Sequence, residues 1–315
     1  MPGTRVGGAA VGAILAGMKA IARHHTPVFL GLAALVALGW LAVGASASSA
    51  PVIAGLGALV LILGLPHGAL DLWVASRQAR WGADGRFRPG GALRFHAEYL
   101  ALAGAVLAAF AFAPTLALIG FLFLSVWHFA DDWRGPPMPV RLGCASIVVI
   151  VPTLFHGAEV AAIFAAVTGR EALPIGPVAY PFWLVSAWII TGSVGLAAMT
   201  DRRAGAEAGA LAVLAAVLPP LVFFATYFTL LHGPRHLMRH GALVAGPGAR
   251  WVVAGYTLAA LVLVGVAGVM LASRTDLTMS GDLLRAIFAG LAALTVPHAV
   301  LMEADKRRTV RTVTK

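Results

Sequence analysis

Long apolar runs recur along the whole chain, and they constrain the fold more than any other feature of the sequence. About 20 apolar residues are needed to cross the hydrocarbon core of a bilayer as a helix, and the runs have about that length. Only 11% of the residues are charged, against roughly 25% in an average soluble domain. The sequence therefore predicts an all-α polytopic transmembrane helical bundle. A soluble enzyme, a disordered chain and a secreted disulfide scaffold are excluded, and a single cysteine, Cys144, excludes an internal disulfide and a thiolate metal cage.

Nine apolar runs are candidates for membrane spans. Helices satisfy the backbone polar groups within each run, because the bilayer core offers no water. The runs are 26–44, 51–76, 93–113, 115–133, 142–167, 180–200, 209–231, 251–272 and 283–302.

Basic residues predict the orientation of these spans. The segment 77–94 carries five arginines and the tail carries further lysines and arginines, whereas the connections 46–50 and 113–114 carry none. By the positive-inside rule, both termini and the 77–94 segment face the cytoplasm of a bacterial inner membrane. Nine crossings would place the tail outside. We therefore expect about eight crossings, with one run between residues 142 and 231 not fully spanning; Pro219 and Pro220 make that region suspect.

The same pattern divides the chain into three parts. Residues 1–50 would form a basic segment and the first transmembrane helix, residues 51–303 the catalytic bundle, and residues 304–315 a basic cytoplasmic tail. The formal net charge of +10 then reflects topology and contact with anionic lipid rather than a nucleic-acid site.

Five histidines lie late in apolar runs, where ionisable side chains are costly and usually functional. They are His67, His128, His232, His236 and His298. A lone histidine in a membrane helix is more often a helix–helix hydrogen bond than a ligand. Five of them at a common predicted depth indicate a single site.

A metal is the chemistry that suits these histidines. His232 and His236 are four residues apart and so share a helix face, although Pro234 lies between them. Imidazole suits iron, copper, zinc or nickel. A set without cysteine or an obligatory carboxylate, buried in lipid, favours Fe(II) working with dioxygen over a closed structural zinc.

Carboxylates follow two of these histidines closely. Asp71 comes four residues after His67, and Asp131 and Asp132 come three and four residues after His128. Such groups can accept the second ring N–H of a ligand and orient it. The alternative is that they are interfacial residues paired with Arg134 or Arg77.

Aromatic residues at helical spacing precede the histidines. Phe224, Tyr227 and Phe228 lie before His232, and Phe121 lies seven residues before His128. They are candidates for lining a substrate tunnel for a long apolar ligand, with ordinary core packing as the alternative.

Four motifs in this order resemble the Brp/Blh family of membrane β-carotene 15,15′-dioxygenases. They are Pro-His-Gly-Ala-Leu-Asp around His67, Trp-His-Phe around His128, His-Gly-Pro-Arg-His from His232 to His236, and Pro-His at His298. The resemblance covers about residues 51–303. It implies an Fe(II)-dependent enzyme that adds O2 across the central 15,15′ double bond of β-carotene, which gives two retinal molecules. It carries the iron ligands over onto His67, His128, His232 and His236, with His298 beside the metal.

Two other classes of function stay open at this point. One is a membrane oxidoreductase acting on another polyene or lipid; a haem protein fits this class, whereas the His-x-x-His-His box of a desaturase is absent. The other is a non-catalytic carotenoid-binding, metal-binding or transport protein, although no inverted repeat is evident. The expected partners are β-carotene, O2 and membrane lipid, with a functional link to a retinal-binding rhodopsin and no nucleic acid.

Overall fold

The described residues of this computed structural model, 6–44, 49–77, 89–169, 180–241, 249–272 and 279–313, form helices and turns and contain no strand. The all-α prediction is therefore confirmed. The α-helices are α1 (Val6–Val43), α2 (Ala50–Gly68), α3 (Asp71–Arg77), α4 (Pro89–Phe112), α5 (Pro114–Phe129), α6 (Met138–Phe155), α7 (Gly157–Thr168), α8 (Tyr180–Thr200), α9 (Arg202–Val217), α10 (Pro220–Tyr227), α11 (Gly233–His240), α12 (Ala249–Ala272) and α13 (Met279–Val313).

Several of these helices are long and apolar enough to cross a membrane. Within the described residues there are five such segments, His24–Val43, Gly90–Phe112, Pro114–Asp132, Met138–Phe155 and Gly281–Arg307. Large apolar side chains such as Leu35, Phe123 and Trp188 are exposed on the outer faces of α1, α5 and α8, as lipid contact requires. The chain is thus a polytopic helical bundle, and the number of crossings stays a prediction.

Three of the apolar runs are broken in the structure, and two of the breaks lie between residues 142 and 231, where we expected one run not to span fully. The run 51–76 turns at Ala69 and Leu70, and the run 142–167 breaks at His156, whose backbone is not helical (φ −129°, ψ 39°). The run 209–231 breaks at Leu218, which is extended (ψ 144°). Leu218 precedes two prolines, which lack an N–H and disfavour the helical conformation in the preceding residue.

Helix α13 lies at the centre of the bundle and contacts α2, α3, α4, α5, α7 and α12. Its buried face carries Ala289, Ala292 and Ala293, none of them accessible to solvent. Small side chains let neighbouring helices approach closely in a membrane. The close packing of α13 places His298 inside the bundle.

Helix α1 packs directly on the rest of the bundle. It contacts α9, α11 and the turn that joins α10 to α11, and Phe29 and Ala33 are buried in an apolar cluster shared with α6, α8 and α9. At the other end of the chain, α13 runs through residue 304 without interruption. The division at residues 50 and 303 stays a prediction.

Candidate metal centre

Four buried imidazoles meet inside the bundle. His128 comes from the end of α5, His232 from the turn before α11, His236 from α11 and His298 from α13. The ring centroids of His128 lie 5.1 Å from those of both His232 and His298, and the rings of His236 and His298 are 4.7 Å apart. Each side chain is at most 5% exposed. Residues separated by up to 170 positions thus form one cluster.

A widened helical turn sets up two of these histidines. Residues Phe228–His232 form a π-helix between α10 and α11. Such turns are rare in proteins as a whole, but those that occur are often at functional sites. His232 and Gly233, which directly precede Pro234, keep helical backbone angles. The chain therefore continues as a helix through Pro234, and His232 and His236 both join the cluster.

Two buried carboxylates orient the cluster. The distance from Nδ1 of His298 to Oδ1 of Asp71 is 2.7 Å, and that from Nδ1 of His232 to Oδ2 of Asp132 is 3.0 Å. An ionised carboxylate can only accept, so each Nδ1 donates and the lone pair of the neutral ring is on Nε2. This is the arrangement that orients a histidine ligand towards a metal.

Two tyrosines complete the surroundings of these carboxylates. Tyr99 donates to Asp71 at 3.0 Å, and Tyr227 donates to Asp132 at 2.8 Å. Both side chains therefore stabilise a carboxylate that would otherwise be costly to bury in a protein interior.

The pairing of carboxylates with histidines differs from their order in the sequence. Asp71 follows His67 but contacts His298, and Asp132 follows His128 but contacts His232. Asp131 forms ion pairs with Arg141, at 2.6 Å, and with Lys306. From the sequence, we considered Arg134 and Arg77 as partners instead.

His67 lies in the last turn of α2. Its side chain falls outside the described part of the structure.

The donor set fits a metal ion. One potential ligand atom each from Asp71, His236 and His298 lies within 4.8 Å of the other two, and all three residues are buried. The Nε2 atoms of His128, His236 and His298 are also buried. Imidazole nitrogens with a carboxylate nearby suit divalent iron, zinc or copper.

Two cavities of opposite character flank the cluster. The first, of about 260 Å³, is mostly apolar and also reaches His298. The second, of about 580 Å³, reaches His128, His232 and His236 and is lined by charged groups such as Arg239 and Lys306. The imidazoles therefore stand between an apolar and a charged space.

The predicted tunnel aromatics fall in different places. Phe228 lines the apolar cavity, and Phe224 stacks on Phe228 with ring centroids 5.6 Å apart. Tyr227 is fully buried and bonded to Asp132, and Phe121 packs in a separate apolar cluster around α5 and α7. Neither Tyr227 nor Phe121 lines either of the two cavities beside the histidines.

Sequence reasoning missed several polar residues around the site. Tyr99, Glu207 and Arg235 all lie in or beside apolar helices and are tied to it by hydrogen bonds. Glu207 was the strongest available signal, since it is a single carboxylate among the alanines and glycines of α9, and such residues are rarely buried without a role.

Comparison with known proteins decides the family. A family model described as β-carotene 15,15′-dioxygenase matches residues 58–304, which is most of the chain. The chain belongs to this family. It is 27% identical to the β-carotene 15,15′-dioxygenase of the uncultured marine bacterium 66A03, over 78% of this chain and 91% of that protein. It is also 27% identical to the probable β-carotene 15,15′-dioxygenase Blh of Halobacterium salinarum, over 87% of this chain and 89% of the relative.

No solved structure matches the chain. The family expected from the histidine motifs is confirmed, and with it the class of enzyme, a carotenoid dioxygenase of the membrane.

Proposed function

We propose that this protein cleaves the central 15,15′ double bond of β-carotene with O2 at an Fe(II) centre. The reaction breaks one carbon–carbon double bond and places one oxygen atom on each carbon, so that one β-carotene and one O2 give two retinal molecules. The observation that carries the proposal is the buried histidine cluster beside an apolar cavity. Such a cavity suits a hydrocarbon that comes from the membrane.

The proposed iron ligands are His67, His128, His232 and His236, with His298 in the same cluster. The ring distances among the last four support a common site, and the family resemblance supports His67. Ferrous iron, when bound, supplies the redox chemistry that activates O2. Asp71 and Asp132 hold His298 and His232 in the tautomer whose Nε2 binds a metal.

The apolar cavity is the proposed binding site for the polyene. Its walls include Leu72, Phe95, Leu100, Phe228 and Leu294, which offer a hydrocarbon close contact and few hydrogen bonds. Cleavage at the central bond then depends on the shape of the cavity, since a hydrocarbon presents few groups that polar side chains can recognise. The same walls exclude water from the reacting bond.

We also propose an orientation for the protein. Both termini and the basic segment 77–94 would lie on the cytoplasmic side of a bacterial inner membrane, as the positive-inside rule favours. The 51–303 bundle would carry the chemistry, and the retinal product would supply a retinal-binding rhodopsin. Fusing alkaline phosphatase after residue 315 tests the orientation, since the fusion is expected to be inactive.

The test of the proposed function is retinal formation in a bacterium that accumulates β-carotene. We expect retinal and loss of carotene with the wild type, and neither with His232→Ala or His298→Ala, whose purified forms should also retain less than about a tenth of the iron. His156→Ala is the matched control, because His156 is half-buried and bonds Ala216 away from the cluster. Intact β-carotene beside a folded, iron-loaded wild type would contradict the proposal and indicate another polyene as substrate.

A further inference from the structure

We infer that Glu207, held by Thr26 of α1, is a positioning residue for the metal centre. It keeps the Arg235 guanidinium away from the Asp132 carboxylate, so that this carboxylate can hold His232. The inference rests on the proposed metal site. It assigns a role to two helices, α1 and α9, that contribute none of the proposed ligands.

Glu207 is a buried charge with two partners. Its side chain, within α9, is 2% exposed. Its Oε1 accepts a hydrogen bond from Thr26 and forms an ion pair with Arg235. A carboxylate buried to this extent is tolerated only when it is paired and hydrogen-bonded. The contacts with Thr26 and Arg235 therefore offset the cost of burying the charge of Glu207.

Arg235 connects Glu207 with the backbone of Asp132. One terminal nitrogen of its guanidinium contacts Glu207, and the other donates to the backbone carbonyl of Asp132 at 2.7 Å. The guanidinium is therefore beside Asp132 but directed at its carbonyl. A second arginine, Arg239, has a nitrogen 3.7 Å from Oδ1 of Asp132.

Several donors and cations therefore lie around the Asp132 carboxylate. Its Oδ2 accepts from Nδ1 of His232 at 3.0 Å and from the hydroxyl of Tyr227 at 2.8 Å. If Glu207 loses its charge, the nearest buried anion to Arg235 is Asp132 itself. Attraction between charges is strong where water is excluded. Arg235 then competes with His232 for the carboxylate, and the imidazole loses the contact that orients it.

Helix α1 also holds the backbone before His232. The ring Nε2 of His25 donates to the carbonyl of Leu230 at 3.1 Å, and Leu230 lies inside the π-helical turn. The neighbouring residue Thr26 bonds Glu207, so two adjacent side chains of α1 stabilise this turn and the charge network. Helix α1 precedes the residues that the family model matches, so this support comes from outside the matched region.

The test compares Glu207→Gln and Thr26→Val with matched controls in the full-length protein. Glu98→Gln removes the charge of an exposed carboxylate paired with Arg94, and Thr168→Val removes a buried hydroxyl that bonds only within its own helix. Two measurements are made in detergent. One is the affinity and visible spectrum of bound Co2+, and the other is amide hydrogen exchange over residues 228–240 in metal-free protein.

We expect Glu207→Gln to weaken Co2+ binding about tenfold, the lower end of the effect of removing a group that supports a metal ligand. It should also change the spectrum and speed exchange over residues 228–240. Thr26→Val should do the same to a smaller extent, and both controls should match the wild type.

Wild-type affinity, spectrum and exchange in Glu207→Gln would overturn the inference. If this variant does not fold, Thr26→Val decides by the same criteria. Hydrogen exchange in metal-free protein requires neither iron nor activity. A wild type that makes no retinal would therefore contradict the proposed function while the exchange data still decide the role of Glu207.

Discussion

His232 and His298 each depend on a carboxylate that comes from another helix. Asp132 and Asp71 accept from their Nδ1 atoms and are themselves held by Tyr227 and Tyr99. Every residue in these two hydrogen-bonded series is wholly or largely buried. Removing one residue therefore leaves a buried polar group of its neighbour without its hydrogen-bond partner. The orientation of the imidazoles therefore rests on residues that would not themselves bind the metal.

Asp132→Asn tests this dependence at a single atom. The amide keeps the size of the side chain but loses the charge that favours the donating tautomer of His232. We expect metal affinity to fall about 10–100-fold, measured by competition with a chromophoric chelator. Asp131→Asn is the control, because Asp131 pairs with Arg141 and Lys306 rather than with a histidine. Equal losses in the two variants would contradict the assignment.

At the scale of elements, breaks in helices place the site. The 3-10 turn after α5, the extended Leu218 before α10 and the π-helical turn before α11 all interrupt runs of apolar residues. Each interruption changes the direction or phase of the chain, so that side chains from successive helices converge.

The contact between α8 and α9 needs glycine, and this gives a prediction on stability. A Cβ added to Gly205 would lie 2.4 Å from the Cα of Ala198, whereas one added to Gly192 meets nothing within 4 Å. We expect Gly205→Ala to lower the free energy of unfolding by about 1–3 kcal/mol through overpacking. Gly192→Ala should leave it unchanged or raise it by up to about 1 kcal/mol. Thermal unfolding in detergent measures both, and similar midpoints for the two variants would be the contrary result.

For the whole molecule, the separation of an apolar cavity from a charged one is the central property. The apolar cavity lies among α2, α4, α12 and α13, while the charged cavity lies beside α5, α6, α11 and the end of α13. The histidines thus have an apolar cavity on one side and a charged cavity on the other. No single helix determines this arrangement.

Ala260→Phe tests the use of the apolar cavity. Ala260 lines the cavity, and a phenyl group there occupies space that the polyene would need. We expect retinal formation to fall about tenfold or more, since small changes in the fit of an apolar site alter turnover by this order, while iron content stays at the wild-type level. Leu258→Phe, on the exposed face of α12, should have no effect. Unchanged retinal with Ala260→Phe would mean that the polyene binds elsewhere.

The sequence by itself determined the class of this protein and the approximate content of its site. Long runs such as 93–113 and 115–133 predict helices because span length and backbone hydrogen bonding in lipid are local requirements, and both runs are close to the observed α4 and α5. The histidines were visible because each stands out within its own run, and the four whose side chains the structure describes are in one cluster.

Only the tertiary structure decided which residues meet. The pairs Asp71 with His298 and Asp132 with His232 join residues 227 and 100 positions apart. Glu207 of α9 likewise contacts Arg235 of α11 and Thr26 of α1. Partners at such separations follow from how the helices pack against one another, and packing between distant helices is not set by local sequence pattern. The sequence neighbours of the histidines therefore suggested the right kind of partner, a carboxylate, and the packing of the helices decided that Asp71 contacts His298 and Asp132 contacts His232.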